Sequence, residues 1–87
     1  MVGIKIDQPV TVAAVFDHQK HRVWPVKIWW KGREYKLEKL GLCHSFWEGK
    51  VKIHIFSLTA GGVFLRLRFD SDNLGWQLEE IAENGNN

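Results

Sequence analysis

The chain has 87 residues, of which 45% are hydrophobic and 25% charged, so one globular domain is expected and the composition argues against disorder. Its one cysteine, Cys43, excludes an intrachain disulfide, and no apolar run approaches the roughly 18 residues of a membrane-spanning helix. The N-terminal residues lack the pattern of a signal peptide, and we therefore expect a cytoplasmic protein that does not enter a membrane.

The formal net charge of +2 is unevenly distributed along the chain. Residues 18–68 contain eleven Lys or Arg and three Asp or Glu, whereas residues 69–87 contain five acids and no Lys or Arg. Two interpretations follow from this asymmetry: a functional basic face, or a basic sheet whose charge is offset by an acidic C-terminal strand.

The first third of the chain alternates with a period of two, which indicates strands with one buried face. A short strand over residues 3–7 ends before Pro9, and a second strand covers residues 10–17. The apolar side of the next strand, residues 23–31, consists of Trp24, Val26, Ile28 and Trp30. Pro25, on its other side, predicts an edge strand or the first residues of a strand, because proline cannot donate to a ladder.

Lys31 and Gly32 are expected to form a two-residue hairpin turn, in which glycine supplies a positive φ. This register places the following pairs opposite one another: Trp29 and Glu34, Ile28 and Tyr35, Lys27 and Lys36, and Val26 and Leu37. Trp29 therefore lies on the outward face with the lysines.

After this hairpin, residues 38–49 show no clean period. They predict a turn, a short strand through Leu40 and Leu42, and a loop that Phe46 and Trp47 hold against the core.

Residues 51–59 and 63–70 alternate as two further strands, and the length of the loop between them decides their register. A two-residue turn would place Ile55 opposite Arg68, whereas a three-residue loop would place Ile55 opposite Leu67. We favour the three-residue loop, because a slip of one residue exchanges the faces and only this register brings the apolar sets together. The outward pairs in this register are Phe56 with Arg66 and His54 with Arg68.

Residues 70–75 have the composition of a turn, residues 76–81 form the last strand, and residues 82–87 are a polar tail. The predicted fold is an all-β single domain over residues 1–81. We expect a small antiparallel barrel or a strongly rolled sheet of about six short strands, since closure removes exposed edges.

Patterns that indicate catalysis or metal binding are weak. Cys43 lies next to His44, but no oxyanion motif accompanies the pair. A zinc site from His18, His21, Cys43 and His44 has ligand-like histidine spacing, yet a single thiolate with an adjacent histidine is a poor tetrahedral set. We therefore predict a protein that is not an enzyme and has no cofactor and no metal site.

The outward faces of the two hairpins combine cations with aromatic rings. The predicted binding residues are Lys27, Trp29, Lys31, Lys36, Lys52, His54, Phe56, Phe64, Arg66 and Arg68. We favour a protein partner, because exposed aromatics with arginine are typical of interface hot spots, and we expect a monomer or homodimer. The alternative partner is single-stranded nucleic acid, whose bases would stack on the rings. In a third reading the face is purely structural, with Lys and Arg stems covering the rings.

The stretch "RVWPVKIWWKGREYKLEKL", the loop "FWEG" and the stretch "KIHIFSLTAGGVFLRLRFD" followed by "GWQLEEI" carry a resemblance. Over residues 22–81 the chain resembles a family of small, uncharacterised bacterial β-domains that occur beside, or fused to, Y-family-type DNA polymerase proteins. The chain departs from them in having one tryptophan, Trp47, in its loop and in its lysine-rich first hairpin. The resemblance implies a β-domain and, through the polymerase association, favours nucleic-acid binding; it implies no catalytic residue.

Overall fold

The computed structural model describes residues 3–83, apart from the side chain of Leu40. These residues form eight strands: β1 (Gly3–Pro9), β2 (Thr11–Asp17), β3 (Arg22–Trp30), β4 (Arg33–Lys36), β5 (Lys39–Glu48), β6 (Val51–Ala60), β7 (Val63–Asp70) and β8 (Gly75–Glu83). The all-β prediction is confirmed, but eight strands replace the expected six or so. Of the predicted tail, residues 82 and 83 belong to β8, and residues 84–87 lie outside the described part of the chain.

The strands form two antiparallel sheets rather than one rolled sheet. The large sheet has the order β1-β8-β7-β6-β5, and the small sheet has the order β2-β3-β4. No closed barrel is formed by residues 3–83. The chain passes between the sheets twice, and each crossing is tied by a backbone hydrogen bond. Val10 N donates to Trp76 O at 3.1 Å after β1, and Glu38 N donates to Thr59 O at 2.8 Å before β5.

The core lies between the two sheets. Ile28 of the small sheet packs with Phe56, Leu65, Leu67 and Leu78 of the large sheet, and all five are buried. Partly buried side chains from both sheets extend this cluster: Val12, Val23, Trp24, Trp30, Tyr35 and Trp76. Each sheet therefore has an inner face, toward the core, and an outer face.

The first predicted hairpin is confirmed. Lys31 and Gly32 form the turn with φ of 53° and 72°, and the pairs from Lys27 with Lys36 to Trp29 with Glu34 are those expected. Two expectations for β3 are wrong. At the register shift opposite Ala13 and Ala14, Val26 is exposed and Pro25 is buried, and Pro25 lies in the central strand of the small sheet rather than in an edge strand.

The predicted register of the β6–β7 hairpin is wrong. The turn has two residues, Gly61 and Gly62, both with positive φ, and Ile55 lies opposite Arg68 instead of Leu67. In this register Phe56, not Ile55, faces the inner side of the large sheet. The buried apolar residues of β6 change from one face to the other between Ile55 and Phe56. Ile53 and Ile55 are buried on the outer face, and the residues buried on the inner face are Phe56, Leu58 and Ala60.

Residues 38–49 were expected to contain a turn, a short strand through Leu40 and Leu42, and a loop. The strand is confirmed but is longer than expected, and the predicted loop is wrong. Residues 39–48 form one ten-residue strand, β5, that pairs with β6 along its length. Phe46 and Trp47 therefore do not hold a loop on the core. Trp47 is 66% exposed, and Phe46 is exposed as well.

Candidate functional site

The ten predicted binding residues do not share one surface. The outer face of the small sheet and its turn carry Lys27, Trp29, Lys31 and Lys36, and the outer face of the large sheet carries Phe64, Arg66 and Arg68. Lys52, His54 and Phe56 lie on the inner side of the large sheet. The single aromatic and basic face that the three-residue loop implied is thus divided, because the two-residue turn exchanges the faces of β7 relative to β6.

The outer face of the small sheet keeps the predicted combination of cations and a ring. Trp29 is 39% exposed, and Lys27 Nζ lies 5.6 Å from its ring centroid and 3.3 Å from Glu34 Oε2. Lys31, in the turn, lies instead beside the core-packed Trp30, with its Nζ 5.0 Å from that ring centroid. Such contacts between a cation and a ring are worth about 0.5–1 kcal/mol at exposed sites. They order the lysines without removing them from solvent.

The outer face of the large sheet is electrostatically balanced. Arg66 contacts Glu79 at 3.3 Å and Glu80 at 2.8 Å, and Arg68 contacts Glu48 at 2.8 Å. Two of the three acids belong to β8, as expected if the acidic C-terminal strand offsets the basic sheet. These arginines are therefore less available to a phosphate than the sequence suggested.

On the inner side of the large sheet, Phe56 is 1% exposed and belongs to the core, so its placement on an outward binding face is wrong. His54 is half-buried beside it. Burial lowers the pKa of His54 below its usual value, and the nearby charge of Lys52 lowers it further. Lys52 is exposed, with its Nζ 5.8 Å from the ring centroid of Trp47.

Strand β5 is the surface that sequence reasoning missed. It is an edge strand of the large sheet, and residues 41–48 are all exposed on both of its faces. The exposed apolar side chains include Leu42 at 61% and Trp47 at 66%. The sequence feature that could have predicted this strand is the stretch 40–47, which contains no Asp, Glu, Lys, Arg or Pro. Its apolar residues do not alternate regularly, because neither face of β5 is covered, and the strand was therefore not recognised.

The candidate zinc ligands are divided between the two sides of β5. His18, His21 and Cys43 line a cleft between the sheets, whereas His44 pairs with Ile55 on the outer face. Within residues 3–83 no group of three or more His, Cys, Asp or Glu side chains is placed to hold a metal ion. Cys43 and His44 point to opposite faces of one strand, which is not the arrangement of a nucleophile and its base.

The chain matches no family model, no curated protein and no solved structure. Its resemblance to the β-domains associated with Y-family-type polymerases therefore stays a prediction. Among the described residues there is no helix long and apolar enough to cross a membrane.

Proposed function

We propose that the protein is a non-enzymatic binding module that accepts an extended segment of a partner protein along the free edge of β5. The observation that carries this proposal is a ten-residue edge strand whose residues 41–48 are exposed on both faces. An open edge presents a row of unpaired backbone N–H and C=O groups, to which an added strand can bond. Backbone hydrogen bonds supply affinity in this mode, and side-chain pockets supply specificity.

The opposite edge of the same sheet supports the proposal by contrast. Strand β1 carries Lys5, Asp7 and Pro9, and its register shifts between Lys5 and Gln8. Charges, proline and bulges are the means by which edges are protected from pairing. In β5 the register shift lies near the start, between Leu40 and Leu42, and the remaining strand is regular and uncharged until Glu48.

The side chains of β5 define the partner chemistry. Leu42 and Phe46 project from the outer face, and Cys43 and Trp47 project from the inner face. Cross-strand pairs between apolar or aromatic side chains contribute about 0.2–1 kcal/mol each. The partner is therefore an extended segment with apolar side chains on both of its faces.

The test compares Leu42→Lys with Ile4→Lys. Both residues are apolar and more than half exposed, and both lie on edge strands of the large sheet. Partners are captured from a nuclease-treated lysate, and each is then titrated as a purified protein against the two variants. We expect a partner whose affinity for the Leu42→Lys variant is at least about tenfold lower than for the wild-type protein, and whose affinity for the Ile4→Lys variant equals that for the wild-type protein.

Hydrogen exchange supplies the second readout of that test, since an added strand should slow amide exchange in β5 but not in β1. If no purified partner distinguishes the two variants, or if the partner protects other strands, docking on β5 is refuted. Concentration-dependent sedimentation that Leu42→Lys abolishes would instead identify a second copy of the chain as the partner.

A second candidate function, single-stranded nucleic-acid binding, is supported by the outer face of the small sheet. There, exposed Trp29 lies beside Lys27, Lys36 is opposite Lys27, and Glu34 is the acid opposite Trp29. Base stacking on one aromatic ring is worth about 1–3 kcal/mol. The cations would contact phosphates, each contributing a log–log salt slope of about −0.7 on single strands.

Fluorescence anisotropy with mixed-sequence DNA or RNA at about 50 mM salt tests this candidate. Lys36→Ala should weaken binding and flatten the salt slope, while Trp29→Ala should weaken binding at a constant slope. Absence of binding, or binding that ignores Trp29→Ala, would refute a stacking site on this face.

A further inference from the structure

At one end of the molecule the two sheets separate, and a cleft of about 700 Å³ opens between them. Phe56 of β6 and Phe69 of β7 form one wall, and Phe16 and Val23 of the β2–β3 hairpin form the other. Small-molecule sites typically have volumes of about 300–1,000 Å³ and mainly apolar walls. The size and lining of this cleft fall within that class.

Aromatic rings lie on both sides of the cleft, but Phe56 and Phe69 of the large sheet are only 1% and 4% exposed, so the half-buried His54 ring is the more accessible one on that side. On the large sheet, the His54 ring centroid lies 6.4 Å from that of Phe56 and 6.0 Å from that of Phe69. On the hairpin, Phe16 is 70% exposed, although the apolar pattern of its strand predicts an inward side chain. Ring pairs are favourable at centroid separations of about 4.5–7 Å in stacked or tilted arrangements. A flat aromatic molecule in the cleft would cover the exposed ring of Phe16 and reach the ring of His54.

His54 supplies a polar group within this aromatic wall. Since burial and the charge of Lys52 lower its pKa, the imidazole is neutral near pH 7 and offers one donor and one acceptor. None of the side-chain hydrogen bonds formed within residues 3–83 involves the His54 ring. A ligand group in the cleft can therefore bond to it.

One acidic and one basic side chain line the cleft, and they limit what net charge a ligand can carry. Arg22 and Asp17 both line it, and Asp17 Oδ1 accepts hydrogen bonds from Gln19 N at 2.9 Å and Lys20 N at 3.2 Å. Neither sign predominates there, so the electrostatics favour neither an anion nor a cation.

We propose that this cleft binds an uncharged aromatic small molecule of the phenol or indole class, with its ring against Phe16 and its hydrogen-bonding group on His54. The site differs from the docking surface proposed for β5, although Cys43 belongs to both.

Isothermal titration calorimetry with three matched probes tests the ligand class. 2-Naphthol has a hydroxyl group, naphthalene has no polar group, and 2-naphthoate is an anion. We expect 2-naphthol to bind with about threefold to tenfold higher affinity than the other two, as one hydrogen bond allows. Failure of all three to bind would overturn the proposal, and equal or tighter binding of 2-naphthoate would overturn the assigned ligand class.

The location of binding is tested on the wild-type protein through its single cysteine. Cys43 is exposed and lines the cleft, so it is available to a maleimide. Saturating 2-naphthol should slow the labelling of Cys43 at least about threefold if the probe occupies the cleft. Unchanged labelling in the presence of saturating 2-naphthol would place the probe elsewhere.

Two neighbouring substitutions provide a matched pair. Cys43→Phe adds a ring toward the cleft, whereas His44→Phe adds the same ring on the outer face of β5. We expect Cys43→Phe to weaken 2-naphthol binding at least about tenfold and His44→Phe to leave it within about twofold. Phe16→Ala, which changes an exposed residue, should weaken binding without unfolding the domain. Equal effects of Cys43→Phe and His44→Phe, or no effect of Phe16→Ala, would overturn the assigned site.

Discussion

The phase change within β6 makes Phe56 and Phe64 of the β6–β7 hairpin very different in their contribution to stability. Phe56 is 1% exposed, pairs with Leu67 and contacts Trp76 at a ring-centroid distance of 5.6 Å. Phe64 lies on the outer face opposite Thr59 and remains exposed. The register expected from the sequence would have placed both rings outward. The pair Phe56→Ala and Phe64→Ala therefore distinguishes the two registers.

The magnitudes follow from burial. A buried aromatic side chain removes about 150–250 Å² from water, which at about 25 cal/mol/Å² is about 4–6 kcal/mol. Measured Phe→Ala changes in cores cost about 3–5 kcal/mol, and we expect that range for Phe56→Ala. For Phe64→Ala we expect at most about 2 kcal/mol, since its ring is covered on one side only. The first loss is a large share of a typical domain stability of about 5–15 kcal/mol.

Urea unfolding followed by tryptophan fluorescence measures both changes. With an m-value of about 1.5 kcal/mol/M, a loss of about 3 kcal/mol lowers the midpoint by about 2 M. If Phe56→Ala does not fold, Phe56→Leu should still lower the midpoint more than Phe64→Leu does. A larger loss for position 64 than for position 56 would refute the two-residue turn and the inner placement of Phe56.

Three further outcomes are expected. Cys43→Ser should leave the metal content and the fold unchanged; stoichiometric zinc in the purified protein that this substitution removes would contradict the predicted absence of a metal site. Folding lowers the pKa of His54, so the unfolded chain binds a proton at this histidine more readily than the folded chain does. The contribution of neutral His54 to the free energy of unfolding is therefore complete above about pH 6.5 and decreases as the pH falls below that value. His54→Gln should reduce the loss of Tm between about pH 7.5 and pH 5, and an unchanged pH dependence would oppose this assignment. Gly62→Ala should cost about 1–2 kcal/mol by urea unfolding, because φ at this position is +87°, and a neutral effect would argue against the observed turn.

The sequence predicted the strands whose apolar residues keep one phase. The hairpin around Lys31 and Gly32 was correct because the turn residues and the apolar pattern agree there. The same reasoning placed Ile28 and Leu67 on the apolar faces of their strands, and both are buried. When only one face of a strand is covered, the alternation of apolar and polar residues is enough to predict which side chains are buried.

Prediction failed where a strand is covered on both faces or on neither. In β6, Ile55 is buried on the outer face between His44 of β5 and Arg68 of β7, so the assumption of one apolar face chose the wrong loop length. In β5 residues 41–48 are exposed on both faces, so their apolar and polar residues do not alternate, as in a loop. Six of the ten predicted binding residues were placed by the register of β6 against β7, which is why the face predicted for this hairpin is divided.

The pairing of β1 with β8 also has a consequence for folding kinetics. All the other strand pairs join neighbours in sequence, whereas Gly3 pairs with Ala82 across almost the whole chain. The entropic cost of closing a loop rises with its length, so local hairpins can form before this contact is favourable. We expect β1 to join the large sheet after the transition state. Destabilising substitutions in β1 should then accelerate unfolding and leave the rate of folding nearly unchanged.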